Sequence, residues 1–128
     1  MPLEAGDRHL VNEYFKAMQA GPEGLEAMIA LFTADAEYSE PFSANGQPTS
    51  HVGLPAIRAF FEESYRDAMN HDVQLTLDRL DVDGDRLRSE WTCMMPVFPA
   101  PMRGWDHYTI RDGKIARLEI HLTGPAPA

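Results

Sequence analysis

Asp106 lies in the strand-like stretch WDHYTI, where a carboxylate is unusual. Side chains of a strand alternate between two faces, and Asp106 shares the more apolar face with Tyr108 and Ile110. We therefore predict that Asp106 points into the core. A carboxyl group in that setting must find a cation, or its pKa rises. The simplest structural explanation is an ion pair or a hydrogen bond to a neighbouring strand, for instance to Arg88 or Arg117.

Two further residues could do chemistry beside Asp106. Glu40 ends the short extended segment AEYSEPF on the same face as Tyr38, and Pro41 stops the strand. Tyr14 lies within the apolar stripe of a predicted helix. Each has a simple structural explanation: a solvated strand end for Glu40, and core packing with one hydrogen bond for Tyr14. Together, however, a base, a phenol and a protonated carboxylic acid around one apolar pocket could transfer a proton.

Three helices are predicted to position these groups. The first contains the apolar stripe Leu10, Val11, Tyr14, Phe15 and Met18, and Gly and Pro in AGPEG end it. The second is short, with Leu25, Met28, Ile29 and Phe32 on one side. A polar loop, SANGQPTSHVG, precedes the third, which has Pro55 in its first turn and carries Ile57, Phe60, Phe61 and Tyr65.

The second half of the sequence changes to strand periodicity. Four strand-like runs follow one another: HDVQLTLDRLDV, DRLRSEWTCMM, MRGWDHYTIR and KIARLEIHL. The Asp-Gly pairs at 83–85 and 111–114 predict hairpins, and the Pro-rich stretch 96–101 connects the middle pair. Helices first and an antiparallel meander afterwards predict an α+β domain in which a curved sheet wraps a long helix.

The strand register places further side chains near Asp106. A symmetric connection at 96–101 would bring Trp91 opposite Asp106 and Cys93 opposite Gly104. The last strand can add three apolar side chains to the same face, provided that the turn RDG has an odd length or a bulge: Leu118, Ile120 and Leu122.

Composition narrows the range of partners. The 128 residues predict one domain, with a core of about residues 8–122. The net charge of −9 argues against nucleic-acid binding and against anionic ligands, and it favours a neutral, apolar small molecule. No segment has the apolar length of a membrane span, and the first residues do not resemble a signal peptide. With Cys93 as the only cysteine, a cytoplasmic location is expected.

The order of these segments resembles the NTF2-like superfamily. The segments that carry the resemblance are EYFKAMQAG, LEAMIALFTADAEYSEPF, HVGLPAIRAFFE and WDHYTIRDGKIARLEI, over roughly residues 10–122. Within the superfamily, the chain is similar to the SnoaL-like and ketosteroid isomerase branch. The resemblance implies a cone in which N-terminal helices pack on a curved antiparallel sheet and enclose a hydrophobic pocket. It also implies a homodimer, with the outward face around Trp105 as the contact.

The resemblance also implies roles for the three polar residues. Ketosteroid isomerases, the established example of a carboxylic acid kept neutral at pH 7, use a tyrosine on the first helix, an acid before a proline and an aspartic acid in a strand. These correspond to Tyr14, Glu40 before Pro41, and Asp106 in WDHY. The isomerases carry Asp where this chain has Glu40. Because a displacement of ~1 Å can cost about 100-fold in rate, the resemblance implies proton transfer more than a steroid substrate.

The leading hypothesis is therefore an isomerase-like enzyme for a small hydrophobic carbonyl compound. Glu40 would remove a proton next to the carbonyl, while Tyr14 and protonated Asp106 would donate hydrogen bonds to the enolate oxygen. No metal or organic cofactor is required. Five residues are candidates for the pocket wall, although core packing explains each of them equally well: Phe61, Trp91, Met95, Leu118 and Leu122.

Two other functions remain open. A SnoaL-like polyketide cyclase or a hydratase would use similar acid–base groups on another carbonyl skeleton. A non-catalytic protein that binds a small lipophilic ligand would need no base at all. The five histidines lack the spacing of metal ligands. His51 is expected to be a hydrogen-bonding loop residue, His107 and His121 to face outward, and Cys93 to serve packing.

Overall fold

A computed structural model describes residues 5–42, 48–66, 73–95 and 100–123, with side chains described from residue 7 onward. Some predictions therefore fall outside the described residues. These are most of the polar loop before His51, most of the connection at 96–101, His71, and the tail after residue 123.

The helices follow the predicted apolar stripes. They are α1 (Ala5–Gln19), a 3₁₀ turn (Gly21–Gly24), α2 (Leu25–Ile29) and α3 (Leu54–Tyr65). Gly21 has a φ of 66°, which favours glycine, and it ends α1 at the predicted place. One assignment was wrong: Phe32 does not extend α2 but opens the first strand, where its ring is buried.

Six strands form one curved, unclosed sheet. They are β1 (Phe32–Glu40), β2 (Thr49–Val52), β3 (Gln74–Asp83), β4 (Arg86–Met94), β5 (Met102–Arg111) and β6 (Lys114–Leu122). Their order in the sheet is β2-β1-β6-β5-β4-β3, and all neighbours are antiparallel except β1 and β6. The four-stranded meander and both Asp-Gly turns are confirmed. The short edge strand β2 was not predicted, because its residues read as part of a polar loop.

The register of β5 differs from the symmetric expectation. Asp106 lies opposite Ser89, and Trp91 lies opposite Gly104, two residues away from the predicted pairing. The prediction was wrong because the connection between the strands is not centred where the sequence suggested. The facing direction of every side chain is unchanged, since a shift of two residues preserves strand alternation. On the other side, a bulge at Thr109 and Ile110 brings β6 into the expected register.

The helices pack on the sheet, and the architecture is the α+β cone that was predicted. Helix α1 contacts β3 and β6, whereas α3 contacts β1 and β2. Register shifts interrupt β1, β3 and β5 against their neighbours, and such bulges bend a sheet. No helix within the described part of the chain is both long and apolar enough to cross a bilayer.

Candidate active site

Asp106 is 3% exposed and is bound by three neutral donors. The indole Nε1–H of Trp91 donates to Asp106 Oδ1 at 2.9 Å. The hydroxyl of Tyr108 donates to Oδ2 at 3.0 Å, and the hydroxyl of Ser89 lies 3.3 Å from the same oxygen. The hydroxyl oxygens of Ser89 and Tyr108 also lie 2.8 Å apart, and since each hydroxyl has a single proton, the two cannot both donate to Asp106 while they bond to each other. The neighbours of the carboxyl group are therefore hydrogen-bonding groups that carry no counter-charge.

This environment favours the neutral form of Asp106. Burial raises its pKa to about 7, although the hydrogen bonds from Trp91, Tyr108 and Ser89 pull it downward. The arginine alternative is wrong. Arg88 instead lies over the ring of Trp105 on the outer face, 4.1 Å from the ring centroid, and Arg117 lies near Glu37 and Glu119.

Tyr14 lies beside this network. Its hydroxyl is 3.1 Å from that of Tyr38, and its ring meets the ring of Tyr108 edge-on, with centroids 6.2 Å apart. Burial raises the pKa of Tyr14 well above 10 and also raises that of Tyr38. Both phenols therefore stay protonated at neutral pH. The hydrogen bond between them uses one of their two hydroxyl protons, which leaves the other for a ligand.

Glu40 has a different set of partners. Its side chain is 0% exposed at the end of β1. The backbone N–H of Phe42 donates to Oε1 at 2.7 Å, and Nε2 of His51 lies 2.8 Å from Oε2. The imidazole of His51 packs on the ring of Phe60 with centroids 4.6 Å apart. Glu40 is thus a buried carboxylate held at both oxygens.

A cavity of about 80 Å³ lies between α1 and the sheet. A single water needs roughly 10–15 Å³ of such space, so the cavity is large enough for a small organic group. Its lining is Tyr14, Met18, Tyr38, Phe42, Val73, Leu75, Trp91, Cys93, Met102, Asp106 and Ile120. Phe42 is 48% exposed, so the cavity reaches the surface at that residue.

The cavity unites two of the three predicted catalytic residues. Tyr14 and Asp106 both line it, whereas Glu40 does not; Glu40 is two residues beyond the lining residue Tyr38 and binds the backbone N–H of the lining residue Phe42. Of the five predicted wall residues, Trp91 lines this cavity. The other four do not: Phe61, Met95 and Leu118 are buried in the core, and Leu122 is partly exposed at the end of β6.

Sequence reasoning missed four members of these networks. Tyr38 and Tyr108 could have been found, because each is two residues from a predicted catalytic acid on the same strand face. Ser89 depended on the register of β4. His51 was assigned to a loop, although it lies in β2 opposite Tyr38.

The remaining predicted features lie away from the cavity or form no cluster. His107 and His121 contact Trp105 on the outer face, where His107 also bonds Asp83. Cys93 is a cavity residue, and burial raises the pKa of its thiol. Among the described residues, no group of three or more His, Cys, Asp or Glu side chains is placed to share a metal ion.

Comparison with known protein families identifies the family of this chain. Residues 11–118 match the SnoaL-like domain, and the chain belongs to this family. A comparison with functionally curated proteins found no match.

Three solved structures illustrate the similarity. A candidate polyketide cyclase from Sinorhizobium meliloti is 26% identical, with a TM-score of 0.71, over 88% of this chain and 94% of that one. A candidate ketosteroid isomerase from Kribbella flavida is 21% identical, with a TM-score of 0.69, over 96% and 84%. An NTF2-like protein of unknown function from Mesorhizobium loti is 16% identical, with a TM-score of 0.74, over 97% and 98%. The last two show the fold alone.

The raised pKa of Asp106 predicts a stability cost at neutral pH. An unfolded aspartate ionises near pH 4, whereas folded Asp106 keeps its proton up to about pH 7. The folded state therefore binds more protons in this window, and stability falls as the pH rises through it. The full cost above pH 7 is about 4 kcal/mol, from a shift of about three pKa units.

Asp106→Asn should remove this dependence. The difference in free energy of unfolding, Asp106→Asn minus wild type, should increase by up to about 4 kcal/mol between pH 4 and pH 8, measured by urea denaturation. Asp85→Asn, in the exposed turn between β3 and β4, is the control and should leave the pH profile unchanged. Parallel profiles for wild type and Asp106→Asn would show that Asp106 ionises normally.

Gly104 is predicted to hold Trp91 against Asp106. A Cβ atom at Gly104 would overlap Cζ2 of the Trp91 indole and the backbone carbonyl oxygen of His121. Gly104→Ala should displace the indole, remove its hydrogen bond and raise the pKa of Asp106 above about 7. The overlap should also destabilise the fold by about 1–3 kcal/mol.

The measurement is an NMR titration of the Asp106 carboxyl carbon, together with indole fluorescence in a Trp105→Phe background that leaves Trp91 as the only tryptophan. Gly113→Ala is the matched control, because it strains a turn with a φ of 75° but meets no atom within 4 Å. It should lower stability without moving the Asp106 titration. An unchanged titration in Gly104→Ala would contradict the positioning role.

Proposed function

We propose that this SnoaL-like protein is an enzyme that moves a proton next to the carbonyl group of a small, neutral, hydrophobic compound, as ketosteroid isomerases do. The observation that carries the proposal is Asp106, a buried carboxyl group with a pKa raised to about 7 that lines an otherwise apolar cavity beside Tyr14. A group with a pKa near the working pH is suited to donate or accept a proton in catalysis.

The cavity favours a neutral ligand with one polar end. Among the described residues, Asp106 is the one acidic or basic residue in the lining, so an anionic ligand would meet no cation from this part of the chain. Tyr14, Tyr38 and Asp106 can offer hydrogen bonds to a single oxygen atom, while thioether and aromatic side chains surround the remainder. A ketone or enone has this distribution of polarity.

Hydrogen-bond donors in the cavity would lower the barrier to enolate formation. As the α C–H bond breaks, a carboxylate takes the proton, and the electron pair becomes the C=C bond of an enolate whose charge lies on the carbonyl oxygen. Tyr14 and neutral Asp106 donate to that oxygen. The base, which now carries the proton, then returns it to another carbon, and the double bond shifts. Each donor of this kind contributes roughly 3 kcal/mol.

Glu40 remains the proposed base, and it lies next to two residues of the cavity lining. It lies two residues beyond Tyr38 on the same face of β1 and binds the backbone N–H of Phe42. Both of these neighbours line the cavity. Glu40 is not part of the cavity lining, so direct proton transfer requires the ligand and the Glu40 carboxyl group to come within hydrogen-bond reach of each other. Asp106 is the alternative base, and the pH dependence of turnover distinguishes the two.

A polyketide cyclase is the second candidate. The observation that favours it is the candidate cyclase from Sinorhizobium meliloti, which has the highest identity of the three structures compared. Ring closure also begins with an enolate, so the same donors would serve. Product analysis separates the reactions: an isomerase shifts a double bond, a cyclase forms a ring, and a hydratase adds water. A non-catalytic binder would bind the ligand and release it unchanged.

Single substitutions test the assignment on a small β,γ-unsaturated ketone. Tyr14→Phe should lower kcat by about 10²- to 10³-fold, because it removes one donor to the enolate oxygen. Asp106→Asn should lose less, since its amide can still donate. Glu40→Gln should abolish most of the turnover. In the wild type, kcat should fall as the pH rises through about 7, where Asp106 loses its proton.

Asp85→Asn and Glu119→Gln, on an exposed turn and on the outer face of β6, serve as controls and should match the wild type. A kcat that rises through pH 7 would make Asp106 the base instead. Wild-type turnover in Glu40→Gln would remove Glu40 from the mechanism. A ligand that binds wild type and Glu40→Gln equally, without turnover by either, would favour the non-catalytic binder. Native mass spectrometry of the purified protein identifies any such ligand.

A further inference from the structure

We propose that His51 is the positioning residue of the site, and that its imidazole and the backbone N–H of Phe42 together hold the Glu40 carboxylate in its working orientation. The inference rests on the proposed function, in which Glu40 is the base. It adds a residue that the sequence pattern predicted only to be a hydrogen-bonding loop residue.

The first observation is the division of the two Glu40 oxygens. Nε2 of His51 lies 2.8 Å from Oε2, and the backbone nitrogen of Phe42 lies 2.7 Å from Oε1. A carboxylate bound at both oxygens cannot rotate about its last bond without breaking a hydrogen bond. The clamp therefore sets the plane of the carboxylate, which decides where its lone pairs point.

The second observation is that His51 is itself held in place. Strand β2 pairs with β1 so that His51 lies directly opposite Tyr38, while Glu40 is two residues further along the same face. Diagonal neighbours of this kind are within reach of long side chains. The ring of Phe60 on α3 packs against His51 at 4.6 Å and against Tyr38 at 5.6 Å. The imidazole is thus fixed from the strand and from the helix.

The third observation concerns exposure. The side chain of His51 is 20% exposed, whereas that of Glu40 is 0% exposed. A buried carboxylate without a strong donor would be costly. The imidazole supplies a hydrogen-bonding partner for Glu40 and is not part of the cavity lining. In the proposed mechanism, His51 therefore supports Glu40 without occupying the ligand cavity.

A second histidine–carboxylate pair elsewhere in the chain provides a matched control. His107 Nε2 lies 2.6 Å from Asp83 Oδ2, and the His107 side chain is 18% exposed, close to the value for His51. This pair lies on the outer face, beside Trp105. A general effect of removing a half-buried, hydrogen-bonded histidine will appear at both positions. An effect on the site will appear only at His51.

The test uses two substitutions of His51 in the full chain. His51→Phe keeps an aromatic ring against Phe60 but loses the donor, whereas His51→Gln keeps an N–H donor but loses the ring. On the β,γ-unsaturated ketone, His51→Phe should lower kcat by about 10- to 100-fold with little change in KM, because a displaced base costs about this much. His51→Gln should recover part of the loss. His107→Phe should leave kcat unchanged.

The double variant Glu40→Gln/His51→Phe decides whether His51 acts through Glu40. If it does, the double variant should be no slower than Glu40→Gln alone, since the second change removes support from a base that is already absent. Multiplying losses would show that His51 acts independently and would overturn the proposal. Wild-type kcat in His51→Phe, with Glu40→Gln inactive, would overturn it while leaving the proposed function intact.

An NMR measurement without substrate distinguishes failure of the proposed function from failure of the proposed positioning role of His51. In ¹⁵N-labelled wild type, the Hε2 proton of His51 should give a slowly exchanging NMR signal that shifts in Glu40→Gln. If the wild type turns over none of the ketones, the proposed function fails and this signal alone decides the clamp. Absence of the signal, or its insensitivity to Glu40→Gln, would show that His51 does not hold the carboxylate.

Discussion

The free-energy cost of burying the Asp106 carboxyl group without a cation determines which side chains must surround it. Asp106 is enclosed by an indole, a phenol and a serine hydroxyl, and none of these donors carries charge. Such hydrogen bonds reduce the cost of ionisation without cancelling it, so burial still dominates and the pKa of Asp106 rises. The surrounding structure follows from this requirement. Gly104 has no side chain because the Trp91 indole occupies that space.

Glu40, the second buried acid, has different hydrogen-bonding partners from Asp106. Among the described residues, Glu40 is contacted by the backbone N–H of Phe42 and by the imidazole of His51. Asp106 receives neutral donors from two adjacent strands. Two acids near one cavity with different partners can take different roles, one as a proton acceptor and one as a hydrogen-bond donor. The proposed mechanism depends on this difference in partners more than on the identity of the two acids.

The SnoaL-like family sets the scaffold but does not name the reaction. The curved sheet and the helices across it place a cavity against β1, β3, β4, β5 and β6, and residues at the cavity wall can change without altering the fold. The polar residues at one end of the cavity therefore carry the functional argument. In this chain they comprise Tyr14, Tyr38 and the Asp106 network, and the Glu40–His51 pair is not part of the cavity lining.

Local pattern was enough to predict much of this molecule. The apolar stripes located α1 and α3, the Asp-Gly pairs located two hairpins, and strand alternation alone turned Asp106 inward, because a side-chain period of two survives an error of two residues in register. Phe32 was misplaced because a buried aromatic residue suits the end of a helix as well as the start of a strand. Ser89 and Trp91, which contact Asp106, and His51, which contacts Glu40, lie on other strands, and only the tertiary structure decided these partners. Ser89 became a partner through the β4–β5 register, and His51 through an edge strand of four residues that reads as a loop. Hydrogen bonds between distant segments depend on how the chain closes, and residue spacing does not encode that geometry.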